Sequence, residues 1–305
     1  MQAGLDLYPT RGASEQILER SDRVVFGSRE LESPYGLQPN QVDSYEKNGF
    51  LIFPDFFAPQ EVDLFLNEFY RLGRAPEMQE REELIREPDG NVVRSIFNQH
   101  KFSDLFDRLS RDHRILDKVT QLLGSPAYIH HGRINIKPAN KGKSFPWHSD
   151  FETWHAEDGL PNCRVVTGWI MLTSNNEFNG PLYLLPGSHK RFVSCAGKTP
   201  EENYKNSLRK QEYGVPSSGT LQKLVAESGV VGAYGPSGTL VFHEGNIMHG
   251  SPDNISPWPR INLMFVYNSI ENGPVDKPFG AAKPRPEFLR CTDISPLVPL
   301  DNTFL

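Results

Sequence analysis

The sequence predicts a mainly β fold with supporting helices, an antiparallel sandwich or barrel. Two observations carry this. From residue 127 onward, apolar and polar residues alternate in "AYIHHGRINIKP", "RVVTGWIMLTS", "GPLYLLPGSH", "GTLVFHE" and "RINLMFVYNSI", runs separated by Gly, Pro and Asn. Before residue 127 the apolar residues recur at helical spacing. The chain has 305 residues, long for one average domain but within reach of one large β-rich core with decorations, so a single domain over 1–305 is expected.

Residues 1–40 are polar and interrupted by Pro9, Pro34 and Pro39, which predicts an N-terminal arm lying on the domain surface. "QPNQVDSYEKNGFLIFPDFF" reads as a short helix ending at Gly49, then an apolar strand. Pro59 suits the first turn of a helix whose Val62, Phe65, Leu66 and Phe69 share a face. Ser103 caps a second helix with Leu105, Leu109, Leu116, Val119 and Leu123 as its buried stripe, and Gly124 ends it. In the strand run that follows, His131, Arg133, Asn135 and Lys137 fall on one face and Ile134 and Ile136 on the other, so the adjacent His130 and His131 are expected to point apart. Residues 190–230 are polar with a helix around "LQKLVAESG", an insertion or lid, and 273–305 reads as an irregular, Pro-rich tail.

Composition narrows the class. With 37% hydrophobic and 23% charged residues and no apolar run near the length of a membrane span, no membrane is expected, and "MQAGLDLYPTRGASEQ" lacks the basic and apolar regions of a secretion signal, so the cytoplasm is the expected location. A net charge of −6 without a Lys/Arg cluster argues against nucleic acid and for a small polar ligand. Cys163, Cys195 and Cys291 are distant from one another and form no C-x-x-C pair, which argues against disulfides and a thiolate zinc site. A homodimer stays open.

The chemistry concentrates in "SFPWHSDFETWHAEDG", residues 144–159. In an extended segment His148 and Asp150 present an imidazole nitrogen and a carboxylate to one point. "NIMHGS" supplies His249 about a hundred residues later. Two histidines and one carboxylate form the facial triad of non-haem Fe(II) oxygenases, which leaves positions open for co-substrate and O2. Arg260 follows His249 by eleven residues, where a guanidinium can take a dicarboxylate's distal end, and Ser251 offers a hydroxyl beside it. Arg260, Asn262 and Met264 alternate with Ile261, Leu263 and Phe265, so two strands each pair an apolar face with a polar one; a buried ligand cavity accounts for both.

"FPWHSDFETWHAEDG", "GPLYLLPGSHK", "KQEYGVP" and "MHGS" followed by "PRIN" resemble the ectoine hydroxylases, within the phytanoyl-CoA dioxygenase-like superfamily. The resemblance also takes in "DLYPTR" and "DSYEKNGFL" and so covers most of the chain. It implies a double-stranded β-helix core, jelly-roll and cupin-like, with Fe(II) on His148, Asp150 and His249. The implied reaction uses 2-oxoglutarate and O2, releases succinate and CO2, and hydroxylates a small zwitterionic substrate. An Asp at position 150 favours hydroxylation over halogenation, for which relatives carry Gly or Ala there. By the same resemblance Asn135, Lys137 and Phe145 surround 2-oxoglutarate with Ser251 and Arg260, and Arg133 and Trp154 meet the substrate's carboxylate and amidinium ring. His131, His243 and Met264 stand where the family carries Gln, Phe and Phe, and with Asn262 they would face the substrate. That leaves two alternatives to ectoine: a sister hydroxylase of another small cyclic or zwitterionic amino acid, proline-like, or a non-catalytic sensor of the same fold.

Overall fold

The computed structural model describes residues 6–87, 92–208, 211–301 and 304. Parts of the expected arm (1–5), insertion (209–210) and tail (302, 303 and 305) lie outside them. The strands are β1 (Gln16–Glu19), β2 (Phe50–Phe53), β3 (Leu84–Arg86), β4 (Val93–Phe97), β5 (Ala127–Lys137), β6 (Phe145–His148), β7 (Val165–Met171), β8 (Leu182–Leu184), β9 (Arg191–Ser194), β10 (Val231–Ala233), β11 (Leu240–Glu244), β12 (His249–Ser251) and β13 (Arg260–Ser269). The helices are α1 (Pro39–Asn48), α2 (Pro59–Arg74), α3 (Asp104–Ser110), α4 (His113–Leu123), α5 (Asp150–Thr153), α6 (Tyr204–Ser207) and α7 (Ser218–Ser228).

Alternation decides the architecture. A large sheet runs β2-β11-β7-β13-β5-β4-β3 and a small one β10-β8-β12-β6. The eight strands β5–β8 and β10–β13 cross repeatedly between them, the winding of a jelly roll. On one face of the large sheet Ile134, Ile136, Ile170, Leu240, Phe242, Leu263 and Phe265 pack against Val62 and Phe65 of α2 and Leu116 and Val119 of α4. Each of these side chains removed from water contributes about 1.5–3 kcal/mol. The opposite face of the same strands carries the polar residues and looks toward the small sheet.

Three features depart from the sequence reading. The helix read across 103–124 is two, because Asp112 caps a new one by accepting from the Arg114 amide at 2.8 Å. Leu109 and Leu116 are seven residues apart and stay in phase across that break, which conceals it from periodicity. Secondly, β5 has a bulge at His130, since His131 faces Val266 while Ile129 faces Tyr267. His130 and His131 therefore do not point apart as expected. His130 meets Asp158 at 3.0 Å and packs edge-on to Trp154, on the same side of the sheet as His131.

The third is the arm. Tyr8 is fully buried, β1 pairs with β9, and the Arg11 fork closes on Glu152 of α5 at 2.6 and 2.8 Å. Arg11 also lies 3.3 Å from Glu157. The rest of the arm is mostly exposed or half-buried, so it lies along the domain with Tyr8 and Arg11 as its buried anchors. Removing one partner of such a pair leaves a buried charge uncompensated, so Arg11→Ala is expected to lower the unfolding free energy by about 3–5 kcal/mol. Urea denaturation checks this, and a midpoint equal to that of the wild type would refute it.

Candidate active site

The pairing of β12 with β6 sets His249 opposite His148, their ring centroids 4.2 Å apart. Beyond His148 the chain stays extended for one residue, Ser149, and then enters α5 at Asp150. Asp150 thus projects beside His148 as the i, i+2 spacing requires, although it opens a helix instead of continuing a strand. Its carboxylate oxygens lie 3.4 Å from His148 Nε2 and 3.8 Å from His249 Nε2. One ligand atom from each of the three residues falls within 4.8 Å of the others, and no other such group exists among the described residues.

The remaining ring nitrogens fix the tautomers. His148 Nδ1 donates to the Pro146 carbonyl at 2.9 Å and His249 Nδ1 to that of Ile247 at 3.0 Å. Both Nε2 lone pairs are left facing Asp150, the arrangement in which backbone acceptors orient metal-binding imidazoles. Burial and then the neighbouring His148 push His249 down to about 3, so it is neutral at physiological pH. Burial works against the Asp150 charge, but His249 and His148 outweigh it and hold the carboxyl below its usual range. Two imidazoles and a carboxylate on one side of a cavity fit a divalent iron ion.

That cavity measures about 180 Å³ and is lined by all fourteen residues singled out in the sequence. Strand register arranges those of the large sheet in transverse rows. Lys137 faces Arg260, and Asn135 faces Asn262. Arg133 faces Met264 and His131 faces Val266. Thr167 lies opposite Val266 on one side and His243 on the other, so His131 and His243 share a row.

The first two rows crowd cations. Arg260 donates to Asn135 Oδ1 at 2.7 Å while its buried Nε has no partner, and Lys137 Nζ donates to the Lys143 carbonyl at 2.8 Å. Burial, then Arg260, push Lys137 down to about 6; burial, then Arg133, push Arg260 down from its ordinary value. Phe145, in ring contact with His148, and Ser251, paired with Phe145 across the small sheet, border this end. The Arg133 guanidinium spends Nε and Nη2 on the single Ser95 hydroxyl and lies over Phe97. At the far end Trp154 opens a widened helical turn that Gly159 closes at φ 83°, a conformation favouring glycine. His131 Nδ1 donates to the Leu289 carbonyl at 3.1 Å and His243 Nδ1 to that of Glu244 at 3.2 Å.

Sequence reasoning missed several lining residues. Arg285 reaches the cavity from the tail, its fork held by Asp158 at 2.7 and 2.6 Å. Trp169 lines it between Thr167 and Met171, and this one was legible, since it shares their alternation. Glu157, bonded to Asn203 at 2.8 Å, and Gln211 and Tyr213 of the 190–230 segment are also part of the wall. No periodicity marks Arg285 or Gln211, which lie on irregular chain.

Comparison with known proteins agrees with this geometry. A model of the phytanoyl-CoA dioxygenase (PhyH) family matches residues 45–262. The chain is 47% identical over 299 residues to the ectoine dioxygenase of Bordetella bronchiseptica, covering 97% of this chain and 96% of that protein. It superposes on the crystal structure of EctD from S. alaskensis with 2-oxoglutarate and 5-hydroxyectoine at a TM-score of 0.85 and 36% identity, covering 96% of this chain and 97% of that one. The same enzyme with bound Fe gives 0.86 and 35%, covering 97% and 98%.

Burial, followed by the charges of Arg285 and Arg133, pushes His131 down to about 3. An unfolded histidine takes up its proton near pH 6.5, so the buried neutral ring contributes stability above that pH and loses it as the pH falls toward 3. His131→Gln is expected to flatten this acid limb by up to about 1.4 kcal/mol per pH unit. Urea midpoints of the two proteins at several pH values between 6.5 and 4 provide the check, and parallel curves would contradict it.

Proposed function

Since the chain belongs to the phytanoyl-CoA dioxygenase family, we propose that it hydroxylates ectoine to 5-hydroxyectoine, consuming 2-oxoglutarate and O2 and releasing succinate and CO2. The observation that carries this reading is the His148, Asp150, His249 triad opening onto a single buried cavity with cations at one end and imidazoles at the other.

His148 Nε2, Asp150 and His249 Nε2 would hold Fe(II), which when bound would supply the redox chemistry for 2-oxoglutarate and O2 to give succinate, CO2 and a hydroxylated substrate. The protein's part is recognition and orientation. Arg260 offers a planar fork for the distal carboxylate of 2-oxoglutarate, steadied by Asn135, with Lys137, Asn262 and Ser251 around it and Phe145 as an apolar wall. The dianion relieves the mutual repulsion of Arg260, Arg133 and Lys137.

Arg133, whose hydrogen bonds among the described residues use Nε and Nη2, takes the substrate carboxylate, with the positive charge of Arg285 acting on the neighbouring His131. Trp154 and Met264 wall the ring, and an indole suits a cationic amidinium. With both Nδ1 atoms donating, His131 and His243 present Nε2 as acceptors, which matches a substrate bearing ring N–H groups. The two imidazoles also favour a second reading, the same chemistry on another small cyclic zwitterion. The buried, unpaired cysteines support action in the cytoplasm, and no helix of the described residues is long and apolar enough to cross a membrane.

Purified protein with Fe(II), 2-oxoglutarate, O2 and ectoine is expected to form succinate in step with ectoine loss, and mass spectrometry should show one added oxygen. Asp150→Ala abolishes both. Arg260→Met raises the KM for 2-oxoglutarate by about 10- to 100-fold, the loss of a charge-assisted pair, with little change in that for ectoine. Succinate release with ectoine untouched, alongside hydroxylation of proline or a related amino acid, would shift the assignment to the second reading. No turnover of any candidate by iron-loaded protein would leave the sensor reading.

A further inference from the structure

The backbone ladder between β6 and β12 ends at the His148 and His249 pair, so it does not itself position the third ligand, Asp150. Across that gap run the backbone bond from the Phe151 N–H to the Gly245 carbonyl at 2.8 Å and, among the described residues, one side-chain hydrogen bond beside the ligands. Ser149, between the two ligands His148 and Asp150, donates its hydroxyl to Asn246 Oδ1 at 2.9 Å, and Asn246 lies three residues before His249. Asn246 is 1% exposed and uses its whole amide, its Nδ2 donating to the His189 carbonyl at 3.0 Å and to that of Arg191 at 2.9 Å. Its backbone N–H donates to Glu244 Oε2 at 2.6 Å, and Glu244 is in turn paired with the buried Arg20 at 2.8 Å. An amide satisfied at every position has one rotamer available, so it makes a fixed post.

We propose that Asn246 is a positioning residue that, through Ser149, sets the distance between the His148 and Asp150 pair and His249, and so tunes the affinity and geometry of the metal centre. Nothing in the chemistry of the triad alone requires this bond. Ser149 has a second task, which must be separated from it: its Oγ also accepts from the Glu152 amide at 3.3 Å and caps α5. Asn246 has no part in that cap.

The inference rests on the triad being a metal site, not on the identity of the substrate. Metal-free protein titrated with Co(II), followed by calorimetry and by the visible absorption of the bound ion, tests it without turnover. Asn246→Leu and Ser149→Ala are each expected to weaken Co(II) binding by about 10- to 100-fold, the usual effect of removing a group that orients ligands. Both should alter the absorption band, while Ser149→Thr, which keeps the hydroxyl, restores affinity and band. Because both lesions break one bond and only Ser149→Ala also removes the cap, the double variant should lose no more than Ser149→Ala alone.

Loss confined to Ser149→Ala would mean that the cap alone matters and would overturn the proposal. So would additive losses, or variants that bind Co(II) as the wild type does. If Asn246→Leu does not fold, Ser149→Cys, similar in shape and a weak donor, takes its place with the same loss expected. Wild-type protein that fails to bind Co(II) would instead refute the metal site itself, a different result.

Discussion

The antiparallel pairing of β6 with β12 is the constraint on which the rest of the site depends. It places His148 opposite His249 with their rings in contact. A one-residue slip would turn one of the two imidazoles to the other face of the small sheet and dissolve the triad. Register is therefore not free to drift. It is pinned by β8 on the other side of β12, where His249 faces the fully buried Leu184. The short turn at Ser149 brings Asp150 around to the same point, and the backbone carbonyls of Pro146 and Ile247 decide which nitrogen of each ring is available.

A second constraint is charge. The large sheet buries Lys137, Arg260 and the half-buried Arg133 on one face, an arrangement that would destabilise the fold if nothing answered it. Asn135, Ser95 and backbone carbonyls satisfy some of their donors, but neutral acceptors only partly offset desolvated positive charge. Arg285 differs from these three in having a full carboxylate partner in Asp158. Among the described residues these three have no carboxylate ion-pair partner, which marks where an anion fits, whereas Arg285 is already compensated and adds direction to the field.

This division also explains what the sequence could and could not disclose. Alternation on β5 and β13 exposes the polar face residue by residue, because a strand puts every second side chain on one side. H-x-D is legible for the same reason. The bulge at His130 is not, since a single extra residue shifts the phase without leaving a compositional mark, and the two adjacent histidines consequently end up on one side. Arg285 and Arg11 lie in segments without periodicity, and their partners Asp158 and Glu152 are more than a hundred residues away in the chain. Only the folded chain brings such pairs together. The break between α3 and α4 escaped because both helices bury the same apolar stripe.

Two sets of groups on the cavity wall make opposite demands, and together they define what can occupy it. Arg133 calls for an acceptor with negative charge. His131 and His243 offer lone pairs, because each Nδ1–H is spent on a carbonyl and burial keeps both rings neutral. A plain carboxylic acid would satisfy the first and leave two buried acceptors unpaired, at about 1–3 kcal/mol each. A plain cation would meet the second and be repelled by the guanidinium groups. A small zwitterion that carries both a carboxylate and ring N–H donors answers both, and its size is limited by the cavity of about 180 Å³. Ectoine meets these conditions, and under the proposed function the imidazoles would make selection depend on its N–H groups as well as on its carboxylate.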